Sequence, residues 1–500
     1  MKKLETAAVK LVLLVAGIPA AFLFLYSLFF TTIYENNDLE IPVETRDPFV
    51  LLLIFLALSI LVFFFVGKGI LKNEANRKRN LNLLLGAVLI HCFLFCTGWN
   101  LLAQSALRAD PLYVHAIAAG FVLNDFSPSA MDYLYTYPHQ AGQALLVELV
   151  YRLFGYENLF AFRMLNTVGV LIFVYSGYQI TSLSFERDEI KVNYLLLAAG
   201  CVPLFIYTNV IYGEVLAAAA VAFACWMLLF WLKQKRLWQM LLMILALVFA
   251  VYMKNNCLIA AVAVGLVLMV KAAAEKQWRM AIWVIPMMVV LLIAQPAMSR
   301  LYEYRSGWPL NQGMPKSLWV AMGLQSDGEA PGWWNEFPIK VYKEQAGYDP
   351  EVADAIAKEA ISLSLQDFTE HPAEAVRFFG RKFVSQWNDT SFGCQVSAGS
   401  QDTPGLEAWM NGYHSLVLLG VVCFVFWGFR RRKKLEECLP LILLCGGFLF
   451  HMAWEVKGRY GLFYFVLLLP VAAAGIQELS EMTGIRLRRK ENHERESTKV

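Results

Sequence analysis

Three observations predict an all-α polytopic membrane protein: the composition, a succession of long apolar runs, and basic residues that recur in every second loop. Of 500 residues 58% are hydrophobic and 17% charged, and the mean hydropathy is +0.49, values that make the bilayer the chain's solvent. A formal net charge of +3, with Lys and Arg gathered in short loops and not in a stripe, gives no case for nucleic-acid binding. Eight cysteines (Cys92, Cys96, Cys201, Cys225, Cys257, Cys423, Cys438 and Cys445) fall in or at the ends of apolar runs, and only Cys394 lies clearly in a polar loop. That distribution implies neither a disulfide framework nor a metal-binding spacing.

A spanning helix needs ~17 to 25 residues, fewer where the flanks can snorkel. Twelve runs qualify, within a range of 10 to 13: Leu11 to Phe30, Phe49 to Val66, Leu81 to Leu101, Leu159 to Tyr178, Tyr194 to Tyr207, Val215 to Leu232, Leu237 to Met253, Cys257 to Val270, Met280 to Met298, Leu416 to Phe429, Leu439 to Trp454 and Leu462 to Ile476. The first follows Met1-Lys2-Lys3 but is too long for a signal peptide and lacks a small-residue cleavage site, so it reads as a retained anchor.

Loop charge then orients the bundle. Lys2 and Lys3, Lys68 to Arg79, Lys233 to Arg236, Lys271 to Arg279, Arg430 to Lys434 and Arg486 to Lys490 occupy alternate loops, cytoplasmic by the positive-inside rule. Both termini come out cytoplasmic. The acidic stretch Glu35 to Asp47 and two large inserts come out on the outer face, in the cell membrane.

The chain divides into spans 1 to 3 (1–103), a first outer insert (104–158), spans 4 to 9 (159–298), a large outer insert (299–415), spans 10 to 12 (416–478) and a basic tail (479–500). No internal repeat is visible. The first insert holds helical candidates at Tyr113 to Leu123 and Gln140 to Phe154. The latter sets Leu145, Leu146, Leu149, Val150 and Leu153 against Gln143, Glu148 and Arg152, which suits an interfacial helix or one packed on the outer domain. In the second insert Asp349-Pro350 opens a helix to about Phe368, and His371-Pro372 opens another to about Trp387, proline being favoured at the first helical position. The last carries Phe378, Phe379, Phe383 and Trp387 beside Arg377, Arg381 and Lys382, either a lipid-headgroup surface or a solvated basic face. Asn388-Asp389-Thr390 spells a glycosylation acceptor.

Several ionisable residues sit where charge is costly. Asp110 follows the third run by about nine residues, near the membrane surface, where it could serve as a base. Lys254 interrupts two apolar runs, and the run after it spans only fourteen residues, ~21 Å as helix against a ~30 Å core. That shortness draws Lys254 below the surface, a place for a functional cation or for a snorkelling one. Arg459, in a short turn before the last run, offers a planar fork for a phosphate. Glu214 stands in a third tight turn, and convergence of Glu214, Lys254 and Arg459 on one cavity is expected as a hypothesis.

The segment Asp110-Pro111-Leu112-Tyr113, followed by Tyr135-Thr136-Tyr137-Pro138-His139-Gln140 and Val150-Tyr151-Arg152-Leu153-Phe154-Gly155, resembles the first outer loop of bacterial GT-C glycosyltransferases, in the branch of the protein O-mannosyltransferases and the aminoarabinose transferase. The turn Asn209 to Glu214, the break Lys254-Asn255-Asn256, the His371-Pro372 helix and the turn Glu455 to Tyr460 before Pro470 resemble that branch in order. The resemblance implies a GT-C-like bundle, a polyprenyl-phosphate-linked sugar as donor and a first-loop acid, here Asp110, as catalytic base. Members of the family commonly carry two adjacent acids where this chain has Asp110-Pro111, which leaves Asp132 and Glu214 as reserves. Lys254 and Arg459 would bind the donor phosphate, with Glu214, Tyr137, His139 and Tyr460 as candidates for acceptor or donor binding.

That chemistry fits one base. A lipid phosphate leaves without a general acid, so cations matter more than a proton donor, and single displacement inverts the anomeric carbon. The acceptor would be a hydroxyl of a cell-envelope polymer, glycolipid or protein. No metal site or cofactor is required by the sequence, since His91, His115, His139 and His451 are scattered, although a divalent metal remains compatible with it. The competing class is a multi-pass transporter or lipid flippase, which would ordinarily set its charges near the midplane and show paired half-repeats.

Overall fold

A computed structural model describes residues 2–34, 41–103, 107–310, 312–326, 330–393 and 404–482. Cys394, residues Glu35 to Glu40 of the acidic stretch, and the tail from 483 with Arg486 to Lys490 lie outside the described residues. The chain is an all-α polytopic membrane protein. Among the described residues, nine helices are long and apolar enough to cross a membrane, or eleven when each of two bent helix pairs counts as one span. Every one of the twelve runs coincides with a helix or a bent pair, as expected where lipid forces the backbone to bond within itself. Leu237–Met253, with 17 residues, is the short one.

The two bends have local causes. Asp188–Ala199 and Val202–Asn209 meet at 47°, across Gly200 and just before Pro203 at the start of the second helix. Gly458–Leu467 and Leu469–Met482 meet at 58°, where Pro470 has no N–H to continue the ladder.

Glu214–Gln234 is the central helix, packed between Leu159–Ser184 and Leu237–Met253. Fifteen of its 21 residues are buried, and the small run Ala217 to Ala220 lets neighbouring backbones approach. Phe49–Ile70 is peripheral, with Val50, Leu51 and Phe65 each more than 60% exposed, a surface for lipid tails. At the end of Leu258–Glu275 remote from Lys254, Lys271 bridges Glu5 and Glu436, both at 2.8 Å, and nearby in sequence to Glu436 Lys433 pairs with Glu478 at 2.6 Å. Lys271 and Lys433, expected as loop charges, are thus tucked into ion pairs that tie helix ends together.

Both inserts contain helices, and three parts of their sequence reading need correction. Ala141–Phe154 buries its polar residues Gln143 and Glu148 while Leu149 and Leu153 stay exposed, because Glu148 pairs with Arg152 at 2.8 Å and with Arg305 of Val284–Ser306. Pro350–Glu370 begins as expected, Asp349 accepting from the Glu351 and Val352 amides. In Pro372–Trp387, however, Phe378 and Phe379 pack on Phe368 and Phe383 and Trp387 on Phe448. Lys382 is buried, so only Arg377 and Arg381 of its three bases are exposed. Asn388 and Asp389 are fully buried, the Asn388 amide donating to the Phe30 carbonyl at 2.7 Å. The acceptor spelling therefore fastens a hairpin. That hairpin, Phe30–Tyr34 paired antiparallel with Pro42–Arg46, and the helix Pro128–Thr136 are elements the hydropathy pattern does not signal.

Candidate functional site

Four segments remote in sequence meet where the inserts join the bundle. Asp110 stands in the first turn of Ala109–Leu123, where a carboxylate interacts favourably with the helix N-terminus. Ala109 before it takes a φ of 47°, a left-handed conformation uncommon for a residue with a Cβ. Tyr133 of Pro128–Thr136 donates its hydroxyl to Asp110 Oδ1 at 3.1 Å; its ring lies 4.7 Å from that of Tyr113 and parallel to it. Arg459 Nη2 donates to Asp110 Oδ2 at 3.1 Å. Asp110 is therefore a paired carboxylate at a helix start and not a free loop charge, yet 32% of its side-chain surface remains open.

Arg459 enters on the second residue of Gly458–Leu467. The neighbouring Tyr460 donates to Glu455 Oε2 at 3.1 Å, closing the turn that carries both. Lys254 caps Leu237–Met253 in extended backbone, and its Nζ lies 2.7 Å from Glu214 Oε1 and 3.7 Å from the centre of the Tyr212 ring. The Arg459 guanidinium lies 5.9 Å from the same ring, so both cations are close to the aromatic ring of Tyr212, whose negative face attracts positive charge. Gly213 permits the approach of these turns: a Cβ there would run into the Met253 carbonyl oxygen.

Glu214, Lys254, Arg459 and Tyr460 line one small cavity, shared with the apolar Ala217, Cys257 and Phe463. Charged groups thus adjoin an apolar wall. Burial pushes the Asp110 carboxyl upward, but Arg459, Lys457, Lys254 and the Tyr133 hydroxyl outweigh it and hold the group below its ordinary range. Burial wins at Glu455, whose carboxyl is raised despite Lys457 and Arg459. His139 is pushed down to about 4 by burial, with Lys254 and Lys316 acting in the same direction against Asp110.

The remaining expected residues are also placed. Tyr137 and His139 lie 6.2 and 6.3 Å from the Trp319 ring, which stacks on Trp454 at 5.9 Å, so they join an aromatic strip between the two inserts. Asp132 is held by Lys343 and by the Tyr348 hydroxyl at 2.8 Å; it clamps one insert to the other. Glu214 is engaged by Lys254. Of the two reserve bases, Asp132 is thereby engaged in the join between the inserts, whereas Glu214 stays in the cavity lining beside Lys254. Sequence reasoning did not single out Tyr133, Tyr212, Glu455 or Lys457, and only Tyr212, Glu455 and Lys457 had a signal, being in the same tight turns as Glu214 and Arg459. Among the described residues no group of three or more His, Cys, Asp or Glu side chains is close enough to hold a metal ion.

The class these features define is a polytopic membrane protein with a charged cleft under two inserts. No protein-family model matches the chain, and no curated protein matches it. Among solved structures, it is similar to the Archaeoglobus fulgidus oligosaccharyltransferase tethered with an acceptor peptide containing the NVT sequon, at 12% identity and a TM-score of 0.44, over 81% of this chain and 50% of that one. The chain therefore spans about half the length of that structure.

Proposed function

We propose that the protein is a membrane-embedded, inverting glycosyltransferase of the GT-C type that moves a sugar from a polyprenyl-phosphate-linked donor to an acceptor hydroxyl on the outer face of the cell membrane, with both termini cytoplasmic. The observation that carries this reading is the contact of one partly open carboxylate, Asp110, with Arg459, which itself lines a small cavity together with Lys254 and Glu214. The order of sequence motifs resembling GT-C enzymes supports it independently of that geometry.

In this mechanism the donor phosphate enters between Arg459 and Lys254, whose charge stabilises the departing oxyanion. The acceptor oxygen bonds to the anomeric carbon from the opposite side, the bond to the phosphate oxygen breaks, and the acceptor proton passes to Asp110. Polyprenyl phosphate leaves, and the anomeric configuration inverts. Because Arg459 pairs with Asp110, a donor phosphate competing for the guanidinium would release the carboxylate to act as a base.

The test is transfer in proteoliposomes from polyprenyl-phosphate hexoses to a lipid extract of the native membrane, followed by mass spectrometry. Hexose-bearing products that depend on Asp110 are expected. Movement of the lipid across the bilayer without any change in product mass would replace the transferase reading by a flippase.

A further inference from the structure

The turn that carries Glu455 and Arg459 is not held by the bundle alone. The Val456 amide donates to the Gly332 carbonyl at 2.9 Å, and Val456 is 1% exposed against Ala330 and Trp333 of the second insert. Trp454 stacks on Trp319 with an interplanar angle of 7°. Gly323, which closes the Lys316–Gly323 helix, lies so near that a Cβ would stand 2.5 Å from the Ala453 carbonyl oxygen. One side chain joins these pieces. Lys382, 1% exposed, donates to the Gly323 carbonyl and, at 3.0 Å, to the Met452 carbonyl.

Lys382 also shapes the loop that receives Val456. Gly332 has a φ of +72°, and a Cβ there would meet Lys382 Cε at 2.6 Å. The Gly332 amide closes back on the Gln325 carbonyl at 2.8 Å, and Trp333 Nε1 donates to Ser385 Oγ at 2.9 Å, one helical turn from Lys382. A buried ammonium is costly to maintain for packing alone, since an apolar chain of similar length would fill the space without desolvation. What it adds here is a directed bond to each side of the join.

We infer that Lys382 is a positioning residue: by binding the Gly323 and Met452 carbonyls together it latches the second insert onto the Glu455–Arg459 turn and so sets where Arg459 stands relative to Asp110. This rests on the proposed transferase site for its consequence but not for its geometry. Losing the two hydrogen bonds of the buried Lys382 should open the latch about tenfold or more often.

The experiment reads the latch first by accessibility. With Val456→Cys as reporter in the full-length protein in membranes, an impermeant thiol reagent should react slowly when Lys382 is native and about tenfold faster with Lys382→Met, while Lys382→Arg restores part of the protection. Asp132→Asn, which loosens the other join between the inserts, should leave the reporter protected. With a polyprenyl-phosphate hexose as probe, Lys382→Met should raise the donor KM more than it changes the acceptor KM. Should Lys382→Met not accumulate, Lys382→Gln, too short to reach both carbonyls, is read in the same way. Unchanged reactivity of the reporter in whichever of these variants accumulates, or equal exposure of the reporter in Asp132→Asn, overturns the latch. Changed reactivity with no hexose transfer by any variant, native included, keeps the latch and removes the transferase reading.

Discussion

Arg459 and Asp110, 349 residues apart in sequence, meet at 3.1 Å, and Tyr133 holds the other carboxylate oxygen at the same distance. This contact stabilises the charged form of the acid that the proposed reaction needs as a base. Substrate must therefore change the base's environment, and that change is measurable.

The pH dependence should divide accordingly. In the free protein Arg459 helps to hold the Asp110 carboxyl below its ordinary range, and a donor phosphate that engages Arg459 weakens that effect, so the carboxyl rises when donor is bound. A base works only when deprotonated, so activity falls as pH drops through its pKa. The acid limb of kcat/KM, which reports the free protein, is expected at lower pH than the acid limb of kcat, which reports the complex. Arg459→Gln should move the kcat/KM limb upward. Superimposable limbs, unmoved in that variant, would mean that Arg459 does not control the base.

Asp110→Asn should abolish the base while conserving shape. A loss of about 100- to 10,000-fold in kcat is expected, with donor affinity retained because the Arg459 and Lys254 cations remain. Asp132→Asn, at a carboxylate clamped by Lys343 and Tyr348, is the control and should keep most of its turnover. A dead Asp132→Asn beside an active Asp110→Asn reverses the assignment of the base.

Much of the bundle was legible because lipid imposes a simple code: of twelve apolar runs, nine are single spanning helices, two are bent pairs and one, Leu237–Met253, is a shorter helix among the described residues. Proline at the first helical position marked Pro350–Glu370 and Pro372–Trp387 for an equally local reason. The run after Lys254, fourteen residues by hydropathy, continues as helix from Leu258 to Glu275, because Lys271 is buried in ion pairs with Glu5 and Glu436 and does not end it. The shortness that draws attention to Lys254 is therefore not a feature of the fold. Partnership was what the chain did not disclose. Glu148 read as a water-facing side chain because Arg305, which buries it, lies 157 residues away. Lys382 read as one of three surface bases because carbonyl acceptors leave no trace in sequence. Tyr133 looked like any other tyrosine until a helix carrying no hydropathy signal set it against Asp110.

The Lys254–Glu214 pair should be a stability element as well as a site element. Both side chains are largely buried, 16% and 8% exposed, and removing one partner of such a pair strands the other charge at a cost of about 3–5 kcal/mol. Glu214→Gln is therefore expected to lower the unfolding temperature in detergent clearly, and adding Lys254→Met to it should recover part of the loss. Equal unfolding temperatures for native and Glu214→Gln protein would show that water reaches the pair.

Gly213 offers a separate way to disturb the cleft without removing any charged group. Its φ is −84°, so backbone freedom is not what the position needs; it needs space, because a methyl group would collide with the Met253 carbonyl oxygen, with the Met253 carbonyl carbon only 2.9 Å away. A backbone carbonyl cannot swing aside as a side chain can, so Gly213→Ala must part the Tyr212–Glu214 turn from the Met253–Lys254 turn. Lys254 then loses its registry with Glu214 and Tyr212, and a phosphate bound between Lys254 and Arg459 loses one of its two cations. A charge-assisted bond of about 1.5–3 kcal/mol corresponds to a rise in the donor KM of about 10- to 100-fold. Gly98→Ala is the matched control, since an added Cβ there meets nothing within 4 Å, and alanine in a helix interior stabilises by up to about 1 kcal/mol. A Gly213→Ala protein that binds donor as tightly as the Gly98→Ala protein would show that the registry of these two turns is not what holds the phosphate.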